Sequence, residues 1–392
     1  MPHLRFSLTC GTISGMKTRS VLLLVSPSSP GRFAGVARFA RSHGWHLTSA
    51  DRLTHTLDGW TGDGALVTLR SDDAALRHAR SLVRRGIPVV DLSATRPDIR
   101  LPRVAGDNIE IGRVAAEHLR ARCFTRAAWF STGWGSQHAE RFRGFAERFS
   151  TAPERWAWAL EDRKTRSDDW RALSRWLEKK LRAAKPPLGI FCFDDEDASR
   201  VETTALGLGL SIPGDIAVLG AGNDIPLCES QWVPISSVRH NLERNGYVGA
   251  ALLDRLMNGG RPPPDPIFIK PQGVAEREST DTLAISSPLV RRARDAYREE
   301  MANPPSTAQL AERLGVSRAT LDRAVAADLG ISPAKLLMRL RIDEARRLLR
   351  NTKMSVSEIA YALGFCNPAY FTNAFRRAEG SAPRVWRKSI GS

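Results

Sequence analysis

Short, uniformly apolar runs alternate with helix-length amphipathic stretches between residues 20 and 285. The runs VLLLV (21–25), GALVTL (64–69), IPVVDL (87–92), AAWF (127–130), LGIFCF (188–193) and IAVLGAG (216–222) have strand length and no polar alternation, the pattern of strands buried on both faces. Segments such as FAGVARFARSHG, DDAALRHARSLVRRG and NIEIGRVAAEHLRAR follow them, with apolar positions recurring at helical spacing. Strand, helix, strand in this order predicts parallel sheets covered on both sides. Single cores stop growing near ~250–300 residues, so about ten such elements predict two wound α/β lobes.

After residue 286 the pattern becomes helical and repeats itself. QLAERLGVSRATLDRAV (309–325) matches EIAYALGFCNPAYFTNAF (358–375), pairing Leu310 with Ile359, Ala311 with Ala360, Leu314 with Leu363 and Gly315 with Gly364. With one extra residue in the second turn, Leu321 pairs with Phe371 and Val325 with Phe375. Each copy has the makings of a helix-turn-helix: a small Ala where two helices cross, a Gly for a left-handed turn, and a second helix with apolar positions at i, i+4 and a polar free face. Between the copies, SPAKLLMRLRIDEARRLLRN spells one long helix with Ser332 as N-cap and Pro333 at its first position. A helix of ~17 residues would span ~26 Å, a strut able to hold two recognition helices about one DNA turn (~34 Å) apart.

Charge sharpens the division. The 392 residues carry 58 Lys+Arg against 42 Asp+Glu, a net +16, and residues 286–392 hold 19 of the basic and only 10 of the acidic residues. This surplus favours a polyanionic partner. The polar, Pro-terminated EREST-DTLAISSP stretch reads as a linker, which sets the expected parts at 1–17, a disordered tail, 18–285 and 286–392. A hydrophobic content of 42% excludes a disordered chain. No apolar run approaches the ~18–20 residues of a membrane span, and MPHLRFSLTCGTISGM lacks a signal peptide's apolar core, so a cytoplasmic location is expected. Cys10, Cys123, Cys192, Cys228 and Cys366 are scattered without metal or redox spacing, and predict reduced thiols with neither a metal site nor a cofactor. His43 and His46, flanking Trp45, read as packing or surface residues.

In wound α/β sheets ligands sit beyond the carboxyl ends of the strands. That rule selects the loop SPSSPGRF, the run Asp194-Asp195-Glu196-Asp197, the pair Asn223-Asp224, and the loop carrying Trp134 ahead of a helix with Arg141 and Arg143. Carboxylates, an arginine fork and an indole suit a polyhydroxylated small molecule, whose hydroxyls need partners and whose C–H faces pack on aromatics. An Asp after a strand is often a helix N-cap, a role that fits Asp195 better than Asp194.

Residues 17–280 resemble the LacI-type, periplasmic-binding-protein-like sensing domain, through IPVV, VAGDNIEIGRVAAEHL, ERFRGF, IFCFDDEDA, IPGDIAVLGAGND and VAEREST in the family's order. The resemblance implies two similar lobes joined by three crossovers, an effector in the cleft between them, and Arg141, Asp194 and Asp224 as effector contacts. Asp194 stands where the family commonly has Asn, and SPSSPGRF lacks the aromatic or acidic residue often found in the first loop.

Residues 290–388 resemble the AraC/XylS-type DNA-binding domain, most specifically through SEIAYALGFCNPAYFTNAFRRAEGSAPRVWR (357–387). The resemblance places base contacts at Ala319, Asp322 and Arg323 in the first copy and Ala369, Thr372 and Asn373 in the second. Arg323 suits guanine, Asn373 adenine and Asp322 cytosine, while Ala369 and Thr372 offer methyl contacts to thymine. Arg318, Arg341, Arg350, Lys353, Arg376, Arg377 and Arg384 are candidate phosphate contacts, which position without specifying. The first recognition helix ends RAVAAD where the family has an aromatic and basic ending, so a weaker contribution is expected from it.

Together the two resemblances imply a non-enzymatic transcription regulator, an activator and homodimer acting on double-stranded promoter DNA and RNA polymerase, controlled by a small sugar, a pentose such as xylose. The alternatives are a sugar-binding transport protein and an α/β enzyme with an accessory basic domain. The sequence has no G-x-G-x-x-G after its first strand, no G-x-S-x-G and no metal spacing.

Overall fold

The structure, a computed structural model, describes residues 18–25, 30–49, 57, 59–69, 73–133, 135–149, 157–159 and 169–390. The chain folds as two compact units. One comprises the chain up to Thr280 apart from two short segments; the other comprises Asp281–Ser392 together with those segments, Ala121–Thr125 and Lys185–Leu188.

The first unit is a two-lobed α/β domain. In one lobe β1 (Arg19–Leu24), β2 (Trp45–Ser49), β3 (Gly64–Val67) and β4 (Val89–Asp91) form a parallel sheet in the order β2-β1-β3-β4. Successive residues of β1 serve opposite cores, Val21 and Leu23 on one face and Leu22 and Leu24 on the other. That two-sided burial is why the run is apolar throughout. A bridge from Asp91 to Arg103 brings in β5 (Val104–Gly106), which pairs with β11 (Ile267–Ile269).

The second lobe holds β6 (Ala127–Ser131), β7 (Ala157–Ala159), β8 (Leu188–Cys192), β9 (Ile216–Gly222), β10 (Ser236–Arg239) and β12 (Val274–Ala275) in the order β12-β10-β9-β8-β6-β7, parallel except for β12. The chain leaves the first lobe after β5 and returns after β10 as α8 (Leu242–Met257), whose Ala250 and Leu253 pack with Val21 and Val90. It crosses again between β11 and β12. These are the three crossovers that the resemblance implied. All six expected strands form; those not foreseen are β2, the two- and three-residue strands β5, β7, β11 and β12, and β10, none of which carries a long apolar run.

Two helix pairs set the geometry of the cleft, and both depend on glycine. α1 (Pro30–His43) crosses α8 where a Cβ on Gly35 would fall 1.9 Å from the Glu243 carbonyl oxygen, and one on Gly246 2.1 Å from that of Arg32. α3 (Asn108–Ala121) crosses α4 (Ser136–Ala146) where a Cβ on Gly112 would fall 2.1 Å from the Arg141 oxygen, and one on Gly144 1.9 Å from that of Ile109. Only glycine permits such backbone approach.

The second unit is helical: α9 (Pro288–Glu299), α10 (Thr307–Arg313), α11 (Arg318–Leu329), α12 (Pro333–Asn351), α13 (Val356–Ala362), α14 (Pro368–Glu379) and α15 (Pro383–Ile390). The repeat seen in sequence is a repeat in structure. Ser306 and Ser355 close capping boxes with Gln309 and Glu358, and Gly315 and Gly364 turn the chain at φ +72° and +69°. Gly330 and Gly380 then end the two recognition helices in the left-handed conformation. α12 has 19 residues, about 29 Å at 1.5 Å each, and serves both copies. Its Leu336 and Leu340 pack with Leu310, Leu321 and Val325, and its Ile342, Ala345 and Leu349 with Ile359, Phe371 and Phe375.

The stretch read as a linker before Ser286 is largely packed. Leu283 and Ile285 belong to the first helical core, and the Ser279 and Thr280 hydroxyls are buried in hydrogen bonds to the Val218 carbonyl (2.6 Å) and Ser236 Oγ (2.7 Å). Ser279 and Thr280 are thus paired rather than solvated.

Candidate effector cleft and nucleic-acid interface

Each glycine-mediated crossing presents an arginine–asparagine pair to one cavity. On α4, Arg141 Nη2 donates to Asn108 Oδ1 (2.9 Å), Nη1 donates to the Phe193 carbonyl, and the guanidinium lies 4.3 Å over the Phe193 ring. On α1, Arg32 Nε donates to Asn245 Oδ1 (3.0 Å), and Asn245 Nδ2 donates to the Val104 carbonyl (2.9 Å). The cavity has a volume of about 150 Å³ and is also lined by Thr68, Ser93, Gln137 and His240. At ~30 Å³ per water molecule this is room for a small polar solute.

Three buried polar atoms at this cavity, Arg141 Nε, His240 Nε2 and Thr68 Oγ1, have no hydrogen-bond partner among the described residues. Most buried polar groups are satisfied, so three orphans around one hollow make it a candidate ligand site. Burial pushes the Arg141 guanidinium down to about 10 and lowers that of Arg32. Burial, followed by the neighbouring charges of Arg141 and Arg32, keeps the His240 imidazole well below its usual value, hence neutral at pH 7.

The acidic candidates line an adjoining, wider hollow of about 700 Å³ that shares Arg32, His240, Asn241 and Leu242 with the cavity. One role is the reverse of that expected. Asp194, not Asp195, is the N-cap of α6 (Asp195–Gly207): its backbone is extended and its carboxylate accepts from the Asp197 amide (2.8 Å). Asp195 is one residue into the helix and buried, its carboxylate accepting from the Asp224 amide (2.8 Å) and Ser237 Oγ (2.6 Å). β8 ends at Cys192, two residues before Asp194, so the extended residue a cap requires is Asp194. Asp224 is exposed and caps α7 (Ile225–Glu229) through the Leu227 amide (3.2 Å). Trp134 lies outside the described residues.

Sequence reasoning missed Arg32, Asn108, His240 and Asn245. The strand-end rule could have found His240, which follows β10, and Arg32, which lies in the SPSSPGRF segment after β1. Asn108 and Asn245 carry no signal without the helix crossings.

In the helical unit Leu321, Val325, Phe371 and Phe375 are fully buried, while Ala319, Arg323, Ala369 and Asn373 are exposed on the free faces of α11 and α14. Asp322 is half-exposed, 3.7 Å from Arg318 Nε, and Thr372 Oγ1 donates to the Pro368 carbonyl (2.8 Å). Tyr370, half-exposed on the first turn of α14, was not foreseen.

Of the basic candidates, Arg318, Arg350, Lys353, Arg376, Arg377 and Arg384 are exposed. Arg341 departs from expectation: its Nη2 donates to the Gly364 carbonyl (2.8 Å) and its guanidinium lies 5.1 Å from the Phe365 ring centre. Replacing Arg341 by Met is therefore expected to lower the thermal midpoint of the helical unit and leave the salt dependence of DNA binding unchanged, as followed by melting and salt titration. Replacing Arg376 or Arg377 by Ala is expected to do the opposite, reducing the slope of log K against log salt by ~0.9 for each phosphate that is no longer neutralised.

The chain matches a helix-turn-helix domain model at residues 310–389 and a periplasmic-binding-protein-like domain model at 116–280. It is therefore a DNA-binding transcription regulator in which a periplasmic-binding-protein-like sensing domain precedes an AraC-type helix-turn-helix domain. The sequence is 26% identical over 350 residues to the xylose operon regulatory protein of Escherichia coli K12, covering 84% of each chain. The solved xylose-binding transcription activator xylR shares the fold, with a TM-score of 0.62 at 22% identity over 95% of this chain and 98% of that one. Over 86 residues the sequence is 38% identical to the HTH-type transcriptional regulator CdhR of Pseudomonas aeruginosa PAO1, covering 22% of this chain and 26% of that one. The relatives are transcription regulators, and neither alternative, transport protein or enzyme, is favoured. Among the described residues no helix is long and apolar enough to cross a membrane, and no group of His, Cys, Asp or Glu side chains could hold a metal ion.

Proposed function

We propose that this regulator is an activator, working as a homodimer with RNA polymerase, and that a small sugar of pentose class, xylose being the first to try, binds in the cleft of residues 18–285 and controls DNA binding by residues 286–392. The observation that carries the DNA-binding half is the duplicated helix-turn-helix, with equivalent buried residues, equivalent left-handed glycines and one shared helix. The unpartnered polar atoms at the cavity support the effector half, and the likeness to the xylose operon regulatory protein supports the choice of sugar. Asp194 and Asp224 would receive sugar hydroxyls at the wider hollow, with Arg141 at the cavity.

On DNA, Ala319, Asp322, Arg323, Ala369, Thr372 and Asn373 would meet base edges, and Arg318, Arg350, Lys353, Arg376, Arg377 and Arg384 the phosphates. A sugar can control this binding only by preferring one state of the protein over the other. Gel-shift and footprinting assays on the promoter adjoining the gene, with and without pentoses, test the reading. A change in affinity or footprint with sugar is expected; identical binding with every sugar tried overturns the control. For specificity, Asn373→Ala is expected to cost about 1–3 kcal/mol at one base position and relax the preference there, as read from binding to single-base operator variants.

A further inference from the structure

Thr68 and His240 occupy matching places in the two lobes. Thr68 is the first residue beyond β3, which pairs in parallel with β1, and His240 the first beyond β10, which pairs in parallel with β9. Each therefore stands where wound sheets receive ligands. Their backbones are held on both sides. The Thr68 amide donates to the Leu24 carbonyl (2.9 Å) and the Leu69 amide to Asp91 Oδ1 (3.3 Å). In the other lobe the Arg239 amide donates to the Gly273 carbonyl (2.8 Å), and Asn241 caps α8 by accepting from the Arg244 amide (3.3 Å).

The side chains are left over. Thr68 Oγ1 and His240 Nε2 are buried, without a hydrogen-bond partner among the described residues, and both residues line the cavity. Arg141, 4% exposed, brings a third such atom: its terminal nitrogens are committed to Asn108 and the Phe193 carbonyl, and Nε remains. A buried polar group left unpaired costs more than a paired one contributes, so three such atoms from three separate elements favour a partner that enters the hollow. Their chemistry selects it. Arg141 Nε only donates, a threonine hydroxyl does both, and one nitrogen of a neutral imidazole, the form in which burial keeps His240, either donates or accepts. A carboxylate meets donors alone and an ammonium acceptors alone. Hydroxyls do both, and serve all three atoms with either tautomer of His240.

We infer that Thr68 and His240 are specificity-determining residues of the effector site, each taking one hydroxyl of an uncharged sugar from its own lobe, while Arg141 Nε donates to a further oxygen. This rests on the sugar-effector reading above and deepens it. His240 also borders the wider hollow, so the other hydroxyls of the same molecule can extend toward Asp194 and Asp224.

The test is calorimetric titration of the full-length protein with D-xylose, L-arabinose and D-ribose, then with the singly deoxygenated analogues of whichever binds most tightly. His240→Leu is expected to weaken that sugar about tenfold, and His240→Gln, which restores a donor and an acceptor, to recover most of the loss. One deoxygenated analogue is expected to bind the parent about tenfold more weakly than the full sugar, yet bind the parent and His240→Leu equally. That loss of discrimination identifies the hydroxyl that His240 reads. Thr68→Val, which keeps the shape and removes the hydroxyl, is expected to erase the penalty for a different analogue, and it carries the test if His240→Leu fails to fold.

Folded variants of both residues that bind the sugar as the parent does overturn the inference and leave the sugar reading intact. So does a uniform weakening of the sugar and all its analogues, which would assign the two side chains a structural role only. If the parent binds none of the three pentoses, the sugar reading falls and the inference falls with it.

Discussion

The Phe371→Ala protein is expected to lose the second helix-turn-helix as a folded unit. Phe371 is fully buried on the inner face of α14, with ring centres 5.1 Å from Phe365 and 5.7 Å from Phe375. Truncating a buried phenylalanine typically costs about 3–5 kcal/mol, against a total of about 5–15 kcal/mol for a whole domain. The second helical core is small, since α13, α14, α15 and the last turns of α12 supply nearly all of it. A loss of that size leaves α14 without the platform that holds its free face outward. Thermal unfolding followed by circular dichroism and a parallel gel shift check this: a lowered midpoint with operator affinity reduced to the non-specific level is expected. Tyr370→Ala, one residue away but half-exposed, is expected to change stability little. A Phe371→Ala protein as stable as the parent would mean that α14 packs by another face.

The Gly144→Ala protein is expected to keep its DNA binding and lose its response to effector. The new Cβ would fall 1.9 Å from the Ile109 carbonyl oxygen, a backbone atom that cannot rotate away, so α4 must lift from α3. Overpacking of this kind costs about 1–3 kcal/mol, and here it falls on a helix whose position sets a binding group. Arg141 lies one turn earlier on α4, and its 2.9 Å bond to Asn108 spans the same crossing. Moving the helix separates that pair and withdraws the guanidinium from the cavity. Gly246→Ala is expected to act in the same way on Arg32 and Asn245, with its Cβ 2.1 Å from the Arg32 carbonyl oxygen. Gly207→Ala, where a Cβ meets nothing within 4 Å, is the control that leaves the response unchanged. Ligand-induced thermal shifts and sugar-dependent gel shifts on the three proteins decide the matter; a normal response in Gly144→Ala would show that the crossing does not position Arg141.

The division of labour between sequence and tertiary structure follows the range of the forces involved. Apolar period, capping residues and turn glycines act over a few neighbours, so the six long strands, the duplicated helix-turn-helix, the Ser332 cap and the left-handed turns at Gly315 and Gly364 could all be read along the chain. The buried pairs Leu321/Val325 and Phe371/Phe375 fall where helical spacing put them, and with them the exposed positions between.

The cleft lay beyond such reading, because its parts are remote in sequence and meet only through packing. Arg32 reaches Asn245 across 213 residues, and Arg141 reaches Asn108 across 33. Nothing local distinguishes Gly35 or Gly112 from any other helical glycine until a second backbone passes within van der Waals contact of it. The exchange of roles between Asp194 and Asp195 depended on where β8 stops, and the partner of Arg341 is a carbonyl 23 residues away. Sequence alone determined the long strands and the faces of the helices, since both are written in local periodicity, and its motifs carried the resemblance that implied the class. Only the folded structure decided which charges share a cavity, since that depends on which distant backbones are able to touch.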